Sequence, residues 1–351
     1  MTSTPEPAAG SAVATRDEVV VETRDLSKDF VLAGGLWRAI RRRGPEVLHA
    51  VDQVSLSVRG GETLALVGET GSGKTTLGRL ILRLYKPTSG DLLYRGQSIL
   101  SVSRSEDERL RKHIQAIFQD PYSSLNPVLT VRKTLAEALR VHHICADDEI
   151  DARVDSLLET VGLSPAMSDR KPHEFSGGQR QRIGIARALA VDPEVIVADE
   201  PLSALDVSIQ AQVLNLLIKL QDDAGLTYLF ITHDLDVARH LSQRIAVMYL
   251  GAIVEEAPAD AMFAEPLHPY TQALLAAAPK LGTGRRRREP AVHGDLPNAI
   301  ERPSGCRFHP RCPMAMPVCS TDEPVMVTIG GDRRVACHLH PGTPEQAQPK
   351  D

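Results

Sequence analysis

The sequence has no excess of positive charge: 40 Lys and Arg stand against 45 Asp and Glu, a formal net charge of −5. A nucleic-acid partner is therefore not expected. No apolar run approaches the roughly 18–20 residues that cross a bilayer, so no membrane span is expected. Residues 2–15 are rich in Pro, Ala and Ser and lack the basic start and apolar core of a signal peptide. That segment reads as disordered, and the chain is expected to stay in the cytosol. Cysteine is scarce, with five in 351 residues. Cys145 stands alone and reads as a buried or partly buried thiol. Cys306, Cys312, Cys319 and Cys337 crowd the end of the chain. In a reducing compartment such a cluster points to metal more than to disulfides.

The length exceeds what one hydrophobic core usually serves, so a main domain with one appendage is expected. The chain is organised around Gly68-Glu69-Thr70-Gly71-Ser72-Gly73-Lys74-Thr75, followed by Thr76. This stretch fits the phosphate-loop pattern G-x-x-x-x-G-K-[ST] at every fixed position. Glu62 to Val67 reads as a strand before it, and Thr75 to Leu82 as a helix after it. Glycines let the backbone wrap a phosphate chain with its N–H groups turned inward. The positive helix end then faces the anion. Lys74 can reach the β- and γ-phosphates, and the Thr75 hydroxyl can ligate Mg²⁺. A chance glycine-rich turn would not bring the correct strand and helix with it.

Further strands are expected at 18–22, 54–58, 91–96, 114–119, 194–198 and 226–232, with a hairpin at 245–254 around Gly251. The run 194–198 is apolar throughout, as in a strand buried on both faces. Helices are expected at 105–112, 176–189, 207–221 and 235–241. Between 129 and 163 a helical insertion is marked by Val131, Leu135, Leu139, Val154, Leu157, Leu158 and Val161. The insert 32–45, with its basic run Arg41 to Arg43, reads as a solvated loop, with a lipid-headgroup contact as the minor alternative. The run Arg285 to Arg288 reads as a solvated linker.

The apolar strand ends in Asp199-Glu200. An aspartate there can hold Mg²⁺ through its water shell as second partner to Thr75. Glu200 is placed to polarise an attacking water. Alone, the pair would read as surface carboxylates; beside a phosphate loop it does not. Ser176-Gly177-Gly178-Gln179 opens a helix with a good N-cap and a bare N-terminus, a second anion site. Two such sites are redundant for one nucleotide in one subunit. They fit two subunits paired head to tail, with Ser203 to Asp206 along the seam. His233 ends the next strand, where it can donate to a γ-phosphate and hold the water.

In order and spacing these residues strongly resemble the nucleotide-binding subunit of an ABC transporter, over roughly residues 18–340. The resemblance implies an α/β fold: a RecA-like P-loop NTPase core, an antiparallel β subdomain, a helical subdomain and a small cysteine-containing extension. It implies ATP and Mg²⁺ as ligands and hydrolysis within a dimer sandwich. It gives Gln119 the link between the Mg²⁺/water site and the helical subdomain, and Phe30 the adenine-stacking place where Tyr is commoner. Phe118 to Pro127 and His268 to Leu275 resemble the dipeptide/oligopeptide importers, and the first stretch looks more like their second ATPase.

That subfamily implies a heterodimer with a second ATPase, two membrane permeases and an extracytoplasmic peptide-binding protein. The subunit would sit peripherally on the cytoplasmic face of the membrane. Nickel and other small-solute importers share these stretches. A soluble ABC ATPase of translation or repair is the rival from another class; it would carry two cassettes or long coiled coils. The tail cysteines follow C-x5-C-x6-C-x17-C. Structural zinc sites use tighter pairs. A [4Fe–4S] cluster, which the subfamily resemblance also implies, is expected first, zinc second, and free or disulfide-linked thiols third. The domain expectation is a disordered 1–16, a nucleotide-binding domain 17–265 with its helical part about 120–175, a C-terminal domain 266–342 and a tail 343–351.

Overall fold

The computed structural model describes residues 18–32, 46–120, 125–277 and 300–344. The basic runs and the N-terminal segment singled out above lie outside them. The first elements are β1 (Val19–Leu32), β2 (Glu46–Arg59), β3 (Thr63–Val67), α1 (Lys74–Ile81), β4 (Ser89–Tyr94), β5 (Gln97–Ser98), α2 (Arg104–His113) and β6 (Ile114–Ile117). A helical stretch follows, with α3 (Val131–Val141), α4 (Ile150–Thr160) and α5 (Gly177–Leu189). Then come β7 (Val195–Asp199), α6 (Val207–Ala224), β8 (Thr227–Thr232), α7 (Leu235–Leu241), β9 (Arg244–Tyr249) and β10 (Ala252–Pro258). The chain continues through α8 (Ala259–Ala264), α9 (Pro269–Ala277), β11 (Val327–Gly330), β12 (Arg333–Val335) and β13 (Thr343–Pro344).

The apolar runs read from sequence become the buried centre. Every residue of β3, β7, β8 and β9 is buried. They lie in a nine-stranded sheet of order β13-β11-β12-β10-β9-β3-β8-β7-β6, in which β9, β3, β8, β7 and β6 run parallel. Successive side chains of β7 point to opposite faces, as period 2 requires. Val195 and Val197 pack with Leu77, Leu80 and Ile81 of α1, whereas Ile196 and Ala198 pack with Ile183 and Leu217 of α5 and α6. Leu135, Leu139, Val154, Leu157, Leu158 and Val161 join that second cluster, so the helical insertion shares a core with the sheet.

The two sequence-expected strands at 18–22 and 54–58 are short fragments of a long antiparallel ribbon. β1 and β2 pair from Val19↔Arg59 to Leu32↔Glu46, with register shifts near Leu26 and Lys28. Asp25 (φ 45°) and Gln53 (φ 49°) sit at those irregularities. Bulges break the period-2 alternation on which a sequence reading depends. β2-β1-β4-β5 form a separate four-stranded sheet.

The hairpin around Gly251 is present, as β9 paired antiparallel with β10. The tail continues the main sheet beyond it, because β12 pairs with β10. A buried ionic group crosses this junction. Arg244 donates to Glu62 at 2.7 Å and to Glu256, and Arg334 also donates to Glu256. Glu255, fully buried, accepts the backbone N–H groups of Leu267 and His268, both at 2.8 Å. The His268 ring in turn accepts the Tyr270 N–H through Nδ1 at 3.0 Å.

Burial drives the His268 pKa down to about 3, with His340 adding a smaller push. An unfolded chain binds this proton near pH ~6.5, and the native state refuses it until about pH 3. Stability is therefore full above pH ~6.5 and falls by ~1.4 kcal/mol per unit as pH drops through that window. His268→Asn keeps an acceptor for Tyr270 but binds no proton. Its urea-unfolding stability should decline less steeply between pH ~6.5 and 4; equal slopes in both proteins would overturn this.

Candidate functional site

The segment after β3 turns through backbone that only glycine tolerates. Gly68 has φ +154° and a Cβ there would lie 2.2 Å from the Met248 carbonyl oxygen. Gly73 has φ +108° and its Cβ would lie 2.2 Å from the Ala50 carbonyl oxygen. The loop is thus pressed against β9 on one side and β2 on the other. Its far end is pinned where Gly251 N–H donates to Ser72 O at 2.8 Å. Lys74 is buried and donates to Gly68 O at 2.8 Å and Glu69 O at 2.9 Å. Burial lowers its pKa, against the pull of Glu200, Asp199 and Glu69. A buried ammonium held by neutral oxygens alone, two carbonyls and, at 3.5 Å, the Ser72 hydroxyl, is poised for an anion.

Thr75, on the first turn of α1, donates to Asp199 Oδ1 at 3.0 Å. Burial raises the Asp199 pKa; the Thr75 hydrogen bond opposes this and Glu200 adds to it. Glu200 has φ +46°, uncommon for a residue with a side chain, and its N–H is fixed to Ile231 O at 2.9 Å. Strain of that kind, held by surrounding structure, clusters at functional sites. Its carboxylate meets two further groups at the same oxygen: Gln119 Nε2 at 3.2 Å and His233 Nδ1 at 3.2 Å.

These side chains face one cleft of about 730 Å³, lined by Thr70, Gly71, Gly73, Lys74, Thr75, Thr76, Gln119, Glu200 and His233. Its size is that of a small-molecule or cofactor pocket. Leu48 and Ala50 also line it. Nothing in the sequence flagged them, since only the register of β2 brings them there. Phe30 is not in the lining; its Cα partner is Leu48, so both side chains stand on one sheet face. The Phe30 ring meets Tyr85 edge-on at 5.4 Å, with Lys28 Nζ 5.1 Å from its centre.

The Ser176–Gln179 stretch also lies outside this cleft. Ser176 caps α5: Gln179 N–H donates to the Ser176 hydroxyl and the Gln179 side chain accepts the Ser176 N–H. Gly177 lies against Leu205 and Gly178 against Ile209, on either side of Asp206, the N-cap of α6.

The geometry adds no support to a metal at the tail cysteines. Among the described residues no group of three or more His, Cys, Asp or Glu is arranged to hold a metal ion. Cys306 and Cys319 are buried with Tyr249, Tyr270 and Phe308, while Cys337 packs against Leu267, Val327 and Val335. All five cysteines are free thiols. Burial raises the pKa of Cys306 and Cys312, and pushes Cys337 up to about 11.

Comparison with known proteins follows the same lines. A family model described as ABC transporter matches residues 51–203, and one described as oligopeptide/dipeptide transporter, C-terminal region, matches residues 254–319. Oligopeptide transport ATP-binding protein AppF of Bacillus subtilis is 49% identical over 331 residues, covering 93% of this chain and 99% of that protein. Di/tripeptide transport ATP-binding protein DppF of Pseudomonas aeruginosa is 43% identical, covering 92% and 98%. Among solved structures, the dimeric post-hydrolysis ATP-binding cassette MJ0796 with ADP and Pi is 30% identical with a TM-score of 0.59, covering 68% of this chain and 98% of that one. The cbiO1 subunit of Clostridium perfringens gives 28% and 0.60, covering 71% and 92%.

A side chain at position 73 would collide with backbone, which cannot move aside as a side-chain tip can. Gly73→Ala should weaken binding of a fluorescent ATP analogue at least about tenfold while far-UV circular dichroism is unchanged. Parent-like affinity would show that the loop does not bind the phosphates in this shape.

Proposed function

The chain belongs to the ATP-binding subunits of ABC transporters, and on that premise we propose that it binds and hydrolyses ATP to energise import of di- or oligopeptides. The observation that carries the reading is convergence: a glycine loop, a buried lysine and a strained glutamate share one cleft. The peptide cargo is supported by the relatives named above and by the second matched region, 254–319.

In this reading the inward N–H groups of Gly68 to Thr75 and the Lys74 ammonium hold the triphosphate. Thr75 and Asp199 present hard oxygen donors 3.0 Å apart, and a buried carboxylate whose pKa is raised gains from a cation. The donor set fits Mg²⁺, which when bound would neutralise charge on the β- and γ-phosphates; Gln119 would join its water shell. Glu200 orients the attacking water and accepts its proton. His233 and Gln119 meet the same Glu200 oxygen, so they fix the carboxylate, and His233 can turn its other nitrogen to the γ-phosphate. Phe30, on the face shared with Leu48, offers its ring to the adenine.

Ser176, Gly177, Gly178, Gln179 and Asp206 serve a second subunit's nucleotide. That they lie away from this chain's own cleft supports the assignment, as does the dimeric title of one structural relative. The partner is proposed to be a different ATPase, with two permeases and an extracytoplasmic peptide-binding protein completing the importer. No helix among the described residues is long and apolar enough to cross a membrane. The subunit would therefore ride peripherally on the permeases at the cytoplasmic face. Residues 17–265 form the nucleotide-binding unit in this scheme and 266–342 the C-terminal unit.

General-base assistance contributes about 10²–10⁴-fold in rate. Glu200→Gln in the assembled transporter should lower ATP hydrolysis by at least ~100-fold and trap a stable ATP-bound dimer, seen by size-exclusion chromatography. Turnover near the parent rate would remove Glu200 from the mechanism, and Lys74→Ala with undiminished ATP binding would remove the cleft.

A further inference from the structure

The C-terminal segment reaches into the phosphate loop. Arg311, from the short 3₁₀ turn His309–Arg311, forms two hydrogen bonds to Glu69, Nη1 to Oε2 at 2.9 Å and Nη2 to Oε1 at 3.0 Å. This is the parallel fork geometry in which guanidinium and carboxylate match best. The Arg311 side chain is 8% exposed. Arg311 Nη1 also donates to Tyr249 Oη at 3.3 Å, and its guanidinium lies 5.8 Å from the Tyr249 ring centre. From α9, the hydroxyl of fully buried Tyr270 accepts the Glu69 N–H at 2.9 Å. The Glu69 carbonyl is taken by Lys74. Glu69 is thus held at side chain, N–H and carbonyl, and the partners of its side chain and N–H come from residues beyond 265.

A second grip lies four residues earlier. Arg307 donates to Leu250 O at 2.8 Å, and the next residue, Gly251, donates to Ser72 O. Arg307 also contacts Asp52 and Glu323, the latter at 2.8 Å from Nη2. Both ends of the loop's exposed arc, Glu69 and Ser72, are therefore fixed through the tail.

The electrostatics give the clamp a task. Glu69 places a carboxylate in a loop built to receive a polyanion. Unpaired, it would repel the phosphates through partly desolvated protein, where charge interactions are several-fold stronger than in water. Paired with Arg311, it is neutralised and its backbone is aimed.

We propose that Arg311 and Tyr270 are positioning residues for nucleotide binding, so that the C-terminal segment sets the shape and charge of the phosphate loop through Glu69. The proposal rests on the ATP-binding reading of the cleft. It ties affinity for ATP to docking of the tail, which otherwise touches neither the Asp199–Glu200 pair nor His233.

The test uses the full-length subunit in its assembled transporter, with MgATP as the probe. Arg311→Gln leaves the Glu69 charge uncompensated and should raise KM for ATP about tenfold, with an effect on KM at least fivefold greater than on kcat. Glu69→Gln combined with Arg311→Gln removes both charges and should recover KM to within about threefold of the parent. A purely structural role for Arg311 predicts no recovery in the double variant, and that result overturns the proposal. Parent-like KM in Arg311→Gln also overturns it. Should Arg311→Gln fail to fold, Tyr270→Phe reads the same contact: KM should rise about threefold, and an unchanged KM overturns the proposal. Parent protein that binds no ATP at all would sink the reading of the cleft instead, and Lys74→Ala serves as the control that separates the two failures.

Discussion

Parallel pairing of β3, β8, β7 and β6 is the constraint from which the site follows. Parallel strands in one sheet end on one edge, and here they end in register. Val67 pairs with Thr232, Ile231 with Asp199, and Ala198 with Ile117. The next residues of those strands are the phosphate loop, His233, Glu200 and, two positions past Ile117, Gln119. Residues up to 81 positions apart in sequence meet at 3.2 Å because four strand ends are level. Open α/β sheets bind ligands at their carboxyl edge for this reason. The apolar runs that make the strands are thus as much a part of the site as its polar residues.

Much of this was legible in the residues themselves. The loop pattern demands glycine where the backbone meets the Met248 and Ala50 carbonyls, and no other residue fits those gaps. The carboxylate pair closes an unbroken apolar run, which marks a buried strand end in any reading. What escaped depended on partners distant in sequence. β1 and β2 exceed their apparent length because positive φ at Asp25 and Gln53 breaks the alternation while the ribbon continues. Leu48 and Ala50 reach the cleft by register alone. β11 to β13 are short and follow no periodic pattern; they are strands because β10 offers an edge.

The tail is held by side chains that cross to the main sheet. Tyr249, Tyr270 and Phe308 pack ring to ring, with centroids 4.6 to 5.4 Å apart. Aromatic contacts of this kind add about 0.5–1.5 kcal/mol each beyond burial. Around them Arg307, Arg311, Arg244 and Arg334 reach Asp52, Glu69, Glu62 and Glu256. Removing one member of such a buried pair strands the other, at about 3–5 kcal/mol. A segment anchored in this way is not an appendage in the mechanical sense. Its anchors are the same residues that border the phosphate loop, so its docking and the loop's shape are one structural event.

The cleft on its own is half of a nucleotide site in the proposed scheme, and the chain's geometry explains how the halves communicate. The path from Glu200 to Asp206 runs along both. Glu200, Ser203 and Ala204 line this chain's cleft. Leu205, two residues before α6, meets Gly177, and Ile209 on the first turn of α6 meets Gly178. The stretch that carries Glu200 therefore also supports the capped end of α5, which in the proposed scheme faces the other subunit's phosphates. Glu200 sits on strained backbone at the start of this path, its N–H fixed by a hydrogen bond to Ile231 O. In that scheme, loss of a γ-phosphate from one cleft would act on Glu200, and the chain running on from Glu200 reaches the residues against Gly177 and Gly178. In the proposed scheme two paired subunits need no long-range device to exchange information, because Glu200 and Asp206 are six positions apart on one turn of chain.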